Sequence, residues 1–235
     1  MVRQELTKSA PDTQGDTSAA RLPAHEVIYR KLRALVLFGD LAPGEAVTIQ
    51  GLADRLTAGM TPVREAIRRL ISDGALEFQG NRRVSVPLLS AENISELILA
   101  RQWLDPHLTL RATDRATLQD LARLTDIDTA LDAAIAAGDL RAYLEKNYLF
   151  HKTIYGIADA PILAQLADGL WLRFGPSLRV VCGRMGARNL PDKHKAMLEA
   201  MHARDAETAA KAIREDVIQG MEQVRQALEM DGGAH

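Results

Sequence analysis

The chain has 235 residues, of which 47% are hydrophobic and 26% are charged, values ordinary for a globular protein. No apolar run approaches the roughly 18 residues that span a bilayer, and the N-terminal residues lack the pattern of a secretory signal peptide, so no membrane partner is expected. The single cysteine, Cys182, excludes an internal disulfide framework. These features predict a cytoplasmic protein with one large domain or two small ones.

The formal net charge is −2, but the charge is unevenly distributed along the chain. Residues 21–90 contain ten Lys or Arg and seven Asp or Glu, whereas residues 91–235 contain 17 and 21. Local rather than total charge determines contact with a phosphate backbone. The N-terminal part is therefore the better candidate for binding nucleic acid.

Residues 1–20 are polar and predict a disordered tail. A first helix is expected from Ala24 to Phe38, because Ile28, Leu32, Leu35 and Val36 recur at helical spacing. After a Gly- and Pro-containing break, Thr48 can cap a short second helix that ends at Leu56.

A third helix should begin at Gly59 or Thr61, where Pro62 is tolerated in the first turn, and should end at Gly74. Its buried stripe consists of Val63, Ala66, Ile67, Leu70 and Ile71. Beyond it, apolar and polar residues alternate at Leu76, Phe78, Val84 and Val86, which predicts a β-hairpin with its tip near Gly80-Asn81. Residues 21–88 therefore predict a winged helix-turn-helix domain, a geometry that places one helix in the DNA major groove.

After Ser90 the strand signals disappear, and helical periodicity continues to about residue 229. Gly138 ends one helix, while Asp139 and Asp205 can cap the helices that follow them. Residues 89–230 therefore predict a separate all-α bundle. Its expected helices are 91–112, 115–137, 139–156, 161–183, 190–204 and 206–229.

Several polar residues of the N-terminal domain are placed to contact DNA. Arg64 lies in the first turns of the third helix, where a guanidinium can reach guanine O6 and N7. A lone arginine is more often simply solvated, but the ordered combination of helix, turn, Thr-Pro, arginines and basic wing favours DNA binding. One winged helix covers only a half-site, so a homodimer on a palindromic operator is expected. The candidate DNA-binding residues are Gln50, Thr61, Arg64, Arg68, Arg82 and Arg83.

Polar residues also interrupt apolar stripes in the helical part. Asn147 and His151 are four residues apart on one helix face, and His194 and Asp216 lie within apolar faces of two later helices. Buried polar groups are costly unless they are paired or bound to metal. The pattern is compatible with satisfied core residues or with a transition-metal site.

The chain resembles a known family over nearly all of its length after residue 20. Residues 25–87 are similar to the GntR-family winged helix, most clearly in Thr61-Pro62-Val63-Arg64-Glu65-Ala66 and in Leu41-Ala42-Pro43-Gly44-Glu45. Residues 91–229 resemble the helical FCD effector domain of the FadR-like subfamily. The family often has an arginine where Met60 stands, so the preferred operator here should differ from those of relatives.

This resemblance implies ligands for the helical domain. FCD domains commonly carry an Asp and three His at positions that correspond to Asn147, His151, His194 and Asp216, so a divalent metal such as zinc, nickel or manganese is implied. Two of the four residues depart from the pattern, since Asn replaces Asp and Asp replaces the last His.

The resemblance also implies a small organic acid as effector, beside the polar cluster. The planar guanidinium of Arg101 or Arg173 could pair with its carboxylate, although an interhelical salt bridge is the other role for each. Trp103 and Trp171 could line the pocket or pack in the core.

The leading interpretation is a ligand-responsive, homodimeric transcriptional regulator that is not an enzyme, with repression as the mode that the resemblance implies. One alternative is a metal-dependent enzyme domain fused to a DNA-binding module, in which His151, His194 and Asp216 would activate water. Another is a constitutive DNA binder whose helical domain only dimerises.

Overall fold

The computed structural model describes residues 23–80, 82–185 and 193–232, in which nine helices and three short strands are found. The predicted tail at residues 1–20, the hairpin-tip residue Asn81 and the start of the helix predicted at 190–204 lie outside the described residues. The fold is mainly α, as predicted. Within the described residues no helix has both the length and the apolarity that crossing a membrane requires.

The N-terminal unit follows the predicted order of helices and wing. It contains α1 (Ala24–Leu37), β1 (Ala46–Thr48), α2 (Ile49–Leu56), α3 (Met60–Ser72), β2 (Glu77–Phe78) and β3 (Arg83–Ser85). The Thr48 side chain accepts a hydrogen bond from the Gly51 amide at 3.0 Å and so begins α2, as predicted. Gly59 is the N-cap of α3, so Thr61 lies inside the first turn of the helix instead of capping it.

The wing is a three-stranded antiparallel sheet with strand order β1-β3-β2. Strand β1 was not predicted; it has only three residues and pairs Ala46 with Ser85 and Thr48 with Arg83. The apolar-polar alternation predicted that Phe78 is buried. This prediction is wrong, because the side chain is 60% exposed. It belongs to a two-residue strand at the edge of the sheet, where little apolar surface is available to cover it.

The described residues of the second unit form six helices, in agreement with the predicted all-α bundle. They are α4 (Ala91–Arg115), α5 (Leu118–Ala137), α6 (Leu140–Ile157), α7 (Pro161–Met185), α8 (His194–His202) and α9 (Ala206–Gly232). The predicted boundary between α4 and α5 is displaced by three residues. Thr117 accepts from the Asp120 amide at 3.1 Å, and the Asp120 carboxylate accepts from the Thr117 amide, so this capping box begins α5 at Leu118.

The two units are packed against each other through α1 and α7. A Cβ atom at Gly175 of α7 would lie only 2.5 Å from the carbonyl oxygen of Leu37 at the end of α1. This position therefore requires glycine, because any side chain would push the helices apart. The C-terminal end of α1 therefore lies directly against α7.

Candidate DNA interface and buried polar centre

The face of α3 that looks away from the protein carries the predicted DNA-binding residues. Val63, Ala66, Ile67 and Leu70 are buried against the rest of the N-terminal unit. Thr61, Arg64 and Arg68 are exposed. With 3.6 residues per helical turn, these positions lie on the side of the helix opposite the buried residues. The leading turn of the helix is thus open to solvent rather than packed in the core.

The arginines of α3 differ in what they contact. Arg69 forms an ion pair with Glu26 at 3.0 Å, and its guanidinium lies 3.6 Å from the ring centre of Tyr29. Arg64 and Arg68 form no ion pair or hydrogen bond with any other described residue. Arg69 therefore helps hold α1 on α3, whereas the other two remain available for an external anion.

The remaining DNA-binding candidates are also exposed: Gln50 at the start of α2, and Arg82 and Arg83 at the wing. The amide of Ile49 donates to the carbonyl oxygen of Arg82 at 3.1 Å, which joins the start of α2 to the wing. The Gln50 side-chain amide donates to Asp54 at 2.9 Å. The backbone beside Gln50 is therefore hydrogen-bonded to the backbone of Arg82 at the wing.

Three predicted ligands meet inside the helical domain, and we call them the buried polar centre: His151 of α6, His194 of α8 and Asp216 of α9. Each offers one ligand atom, and these atoms all lie within 4.8 Å of one another. His151 Nε2 is 3.4 Å from Asp216 Oδ2, and His194 Nε2 is 3.9 Å from Asp216 Oδ1. The fourth predicted ligand, Asn147, is half-buried, and it lines a small cavity together with these three residues.

A further carboxylate, which was not among the predicted ligands, lies beside this centre. Asp128 of α5 is buried, and its Oδ1 lies 3.3 Å from His194 Nδ1. A carboxylate in that place orients an imidazole and strengthens its other nitrogen as a ligand. The signal was present in the sequence, because Asp128 interrupts the apolar stripe of Leu124, Ile127 and Leu131 on α5.

The surroundings of the centre set its protonation states. Burial lowers the pKa of His151 below its ordinary value, although the hydrogen bond with Asp216 opposes this effect. Burial opposes the ionisation of Asp216, but the nearby His151 and His194 hold its pKa below the usual range. A neutral imidazole and an ionised carboxylate are the forms that coordinate metals.

The donor set fits a divalent transition metal. Imidazole nitrogen and carboxylate oxygen are ordinary ligands for zinc, nickel and manganese. Nδ1 of His151 is buried and has no hydrogen-bond partner among the described residues, which is costly in a site without a ligand. Asn147 stands where the family resemblance implies an aspartate, so the strong donors that remain are His151, His194 and Asp216.

A cavity of about 40 Å³ adjoins the centre, lined by Asn147, Arg101 and Trp171 among others. A water molecule needs about 10–15 Å³ of such space, so the cavity admits a few waters or the carboxylate of a small acid. Arg101 is 4% exposed, and its Nη2 lies 2.8 Å from Asp105 Oδ2. Its guanidinium stacks 4.7 Å from the ring centres of both Trp171 and Phe174, so one predicted effector residue lies at the cavity wall.

The expectation that Arg173 lies beside the cluster is wrong. Trp171 and Phe174 of α7 face the interior, and position 173 falls on the opposite, exposed side of the helix. There Arg173 reaches towards Gly74, where a Cβ atom would lie 2.6 Å from its Nη2. Together with Leu97 it lines a separate pocket of about 390 Å³ between the two units.

The two tryptophans also have different locations. Trp171 is buried and lines the cavity, so it has both roles considered for it. Trp103 is 63% exposed on α4 and has neither, because its position faces away from the bundle.

Comparison with known proteins agrees with this architecture. Residues 24–86 match the family of bacterial regulatory proteins called the gntR family, and residues 96–218 match the FCD domain. The chain is 30% identical over 183 residues to the HTH-type transcriptional regulator McbR of Escherichia coli K12, covering 77% of this chain and 83% of McbR. It is 23% identical over 209 residues to the transcriptional repressor RspR of the same organism, covering 87% and 90%.

Solved structures show the same fold. Escherichia coli McbR/YncC superimposes with a TM-score of 0.84 at 27% identity, covering 88% of this chain and 100% of that chain. A GntR-type regulator from Rhodococcus sp. RHA1 superimposes with a TM-score of 0.71 at 20% identity, covering 86% and 98%, a likeness of fold alone.

These relatives are transcriptional regulators and not enzymes, so the alternative of a metal-dependent enzyme is discarded. The protein is thus a DNA-binding transcriptional regulator that belongs to the GntR family and carries a C-terminal FCD domain.

Proposed function

We propose that the protein binds a palindromic operator as a homodimer and changes its affinity when a small carboxylate binds beside a metal in the helical domain. The observation that carries this proposal is the pairing of two sites in one chain. An exposed, unengaged arginine face on α3 lies in one unit, and a buried centre of His151, His194 and Asp216 lies in the other.

In this proposal α3 enters the major groove. Arg64 reads a guanine through its two-pronged guanidinium, and Arg68, one turn further along the same face, contacts a base or a phosphate. Thr61 and the amide end of α3 bind a phosphate oxygen. Gln50 contacts the backbone beside the helix, while Arg82 and Arg83 reach the minor groove or its phosphates.

Helices α4 and α7 pack on each other. We assign the dimer surface to the faces of these two helices that point away from the rest of the bundle. Leu99 and Trp103 of α4 are at least half exposed, as are Ile162 and Leu166 of α7. In each helix the two apolar residues are four apart and share a face. A second copy of the chain is the occupant that half-site recognition demands.

Light scattering after size exclusion tests this surface. Leu166→Glu should produce a monomer, whereas Leu118→Glu, a change at an equally apolar and 79% exposed position on α5, should leave a dimer. A Leu166→Glu protein that remains dimeric would remove the assignment.

Within the helical domain, His151, His194 and Asp216 would hold the metal, with Asn147 as a weaker fourth ligand. When bound, the ion supplies positive charge that favours a carboxylate next to it. Arg101 faces the same cavity. Burial opposes its charge, but Asp105, Tyr155 and Asp216 together raise its pKa above the ordinary value, so it remains a cation. A small organic acid would therefore bridge the metal and Arg101.

The proposed direction of regulation is repression. It is supported by the similarity to RspR, whose name describes a transcriptional repressor, and by the family resemblance of both domains.

The decisive experiment measures operator affinity with and without ligands. An operator is first selected from random duplexes with the full chain, and its affinity is then followed by fluorescence anisotropy with zinc and with a series of small mono- and dicarboxylates. Affinity that changes more than about threefold with one acid supports the proposal, since the shift reflects differential affinity for two states. Affinity that no acid changes would indicate a constitutive DNA binder instead.

A further inference from the structure

The cavity wall and the DNA-binding unit are joined by one aromatic residue of α6. Trp171, on the cavity wall, has its ring centre 5.1 Å from that of His151. The ring of Tyr148 packs edge-on against Trp171, with 5.5 Å between ring centres. The same Tyr148 ring packs edge-on against Phe38, directly after α1, at 5.9 Å. A displacement of Trp171 would therefore be transmitted through Tyr148 to the end of α1.

The hydroxyl of Tyr148 organises a polar contact between the two units. It donates to Asp168 Oδ1 at 2.6 Å and accepts from Arg33 Nη2 at 3.2 Å. Asp168 of α7 in turn forms ion pairs with Arg33 and Lys152, each at 2.9 Å. Since Arg33 is in α1, this cluster ties α1 to α6 and α7 through groups that are mostly shielded from solvent.

Beyond Arg33, α1 is attached directly to the recognition helix. The Tyr29 hydroxyl donates to Asp73, the C-cap residue of α3, at 3.1 Å. Arg69 of α3 lies over the Tyr29 ring and pairs with Glu26. These contacts and a shared core pack α1 and α3 into one body.

We infer that Tyr148 is the positioning residue that couples the ligand cavity to the recognition helix. Its ring contacts Trp171, and its hydroxyl is hydrogen-bonded to both Arg33 and Asp168. The angle between α1 and the helical bundle therefore depends on the state of the cavity. In a dimer that angle sets the separation of the two recognition helices, and hence the fit to two half-sites. This inference rests on the proposed ligand-responsive function.

The test is a double-mutant cycle on operator affinity that requires no ligand. Trp171→Phe perturbs the cavity wall, and Tyr148→Phe keeps the ring but removes the hydroxyl. If Tyr148 couples the two sites, the effect of Trp171→Phe on operator affinity should change by about threefold or more in the Tyr148→Phe background. Equal effects in both backgrounds overturn the inference, and an absent effect in both does so as well.

Two further variants separate coupling from general damage. Asp168→Asn should reproduce the Tyr148→Phe result, because it weakens the same Arg33 contact. Asp132→Asn, which removes a comparable Lys ion pair of 2.8 Å between α5 and α8, should give additive effects with Trp171→Phe. Non-additivity for Asp132→Asn as large as for Asp168→Asn would contradict a specific path.

A second measurement covers the case in which Trp171→Phe does not fold. Hydrogen exchange of residues 24–37 is followed with and without zinc in the wild type and in Tyr148→Phe. Zinc that binds both proteins but alters exchange in α1 only in the wild type supports the coupling, and an equal response in both overturns it. Zinc that does not bind the wild type refutes the proposed metal site, and the role of Tyr148 is then decided by the same mutant cycle with Trp171→Tyr in place of Trp171→Phe.

Discussion

The exposed face of α3 and the buried polar centre hold their functional groups in opposite environments. Arg64 and Arg68 project from a rigid helix into solvent, where an unpaired charge costs little. His151, His194 and Asp216 are removed from solvent and must satisfy one another or a ligand. Substitutions on the first site should therefore change binding without changing stability, whereas those at the second should change both.

The contrast extends to how each site is positioned. The face of α3 is set by local sequence, because helical periodicity and the burial of Val63 and Ile67 determine which residues point outwards. The centre is assembled from α6, α8 and α9, with Asp128 of α5 behind it.

The largest effect is expected for His151→Ala. Removal of one of three strong ligands should lower zinc affinity by more than about 100-fold, beyond the loss typical for residues that only orient a ligand. Asp216 would lose a partner, so the free energy of unfolding should also fall by about 1–3 kcal/mol. Calorimetric titration with zinc and thermal unfolding measure the two effects. His107→Ala, at an exposed histidine of α4, serves as the control, and equal zinc binding by both variants would refute the site.

Arg64→Ala should weaken binding of the selected operator by about 30-fold or more, because a bidentate guanine contact contributes about 1–3 kcal/mol and each dimer has two. Its unfolding midpoint should equal that of the wild type, since the side chain contacts no described partner. Anisotropy titrations give the affinities, and Arg115→Ala, at an exposed arginine that ends α4, is the matched control. Unchanged operator affinity would disprove the role of Arg64.

Asn147→Asp should increase zinc affinity by about tenfold, because an ionised carboxylate is a stronger ligand than an amide. The effect should disappear in the His151→Ala background, where the set is already incomplete. Competition titration with a chromogenic chelator measures both affinities. An unchanged or weaker zinc affinity would show that residue 147 does not contact the ion.

The smallest effect is expected for Arg82→Ala at the wing. Loss of one phosphate contact per subunit should weaken binding severalfold for all duplexes alike, and should reduce the slope of log affinity against log salt by about one per contact. Titrations over a range of salt concentrations, with the selected operator and a scrambled duplex, provide the slopes. A loss confined to the selected operator would instead assign Arg82 to base recognition.

Much of the fold was predictable because its signals are local. The caps at Thr48 and Asp139 and the apolar spacing of each helix identified the elements to within a few residues. Helix α5 begins three residues later than predicted, because the Thr117–Asp120 capping box sets its first turn. The strand β1 was missed because three residues are too few to show a periodic pattern.

Local sequence patterns were sufficient to predict the winged helix, the all-α bundle and the polar residues His151, His194 and Asp216 that interrupt apolar faces. Those properties depend on neighbours within one or two helical turns. Local patterns could not show that Arg101 faces the cavity while Arg173 faces the DNA-binding unit, or that Tyr148 contacts Arg33, 115 residues away. Such contacts depend on how helices cross, which is a property of the packed core and has no local signal in the chain.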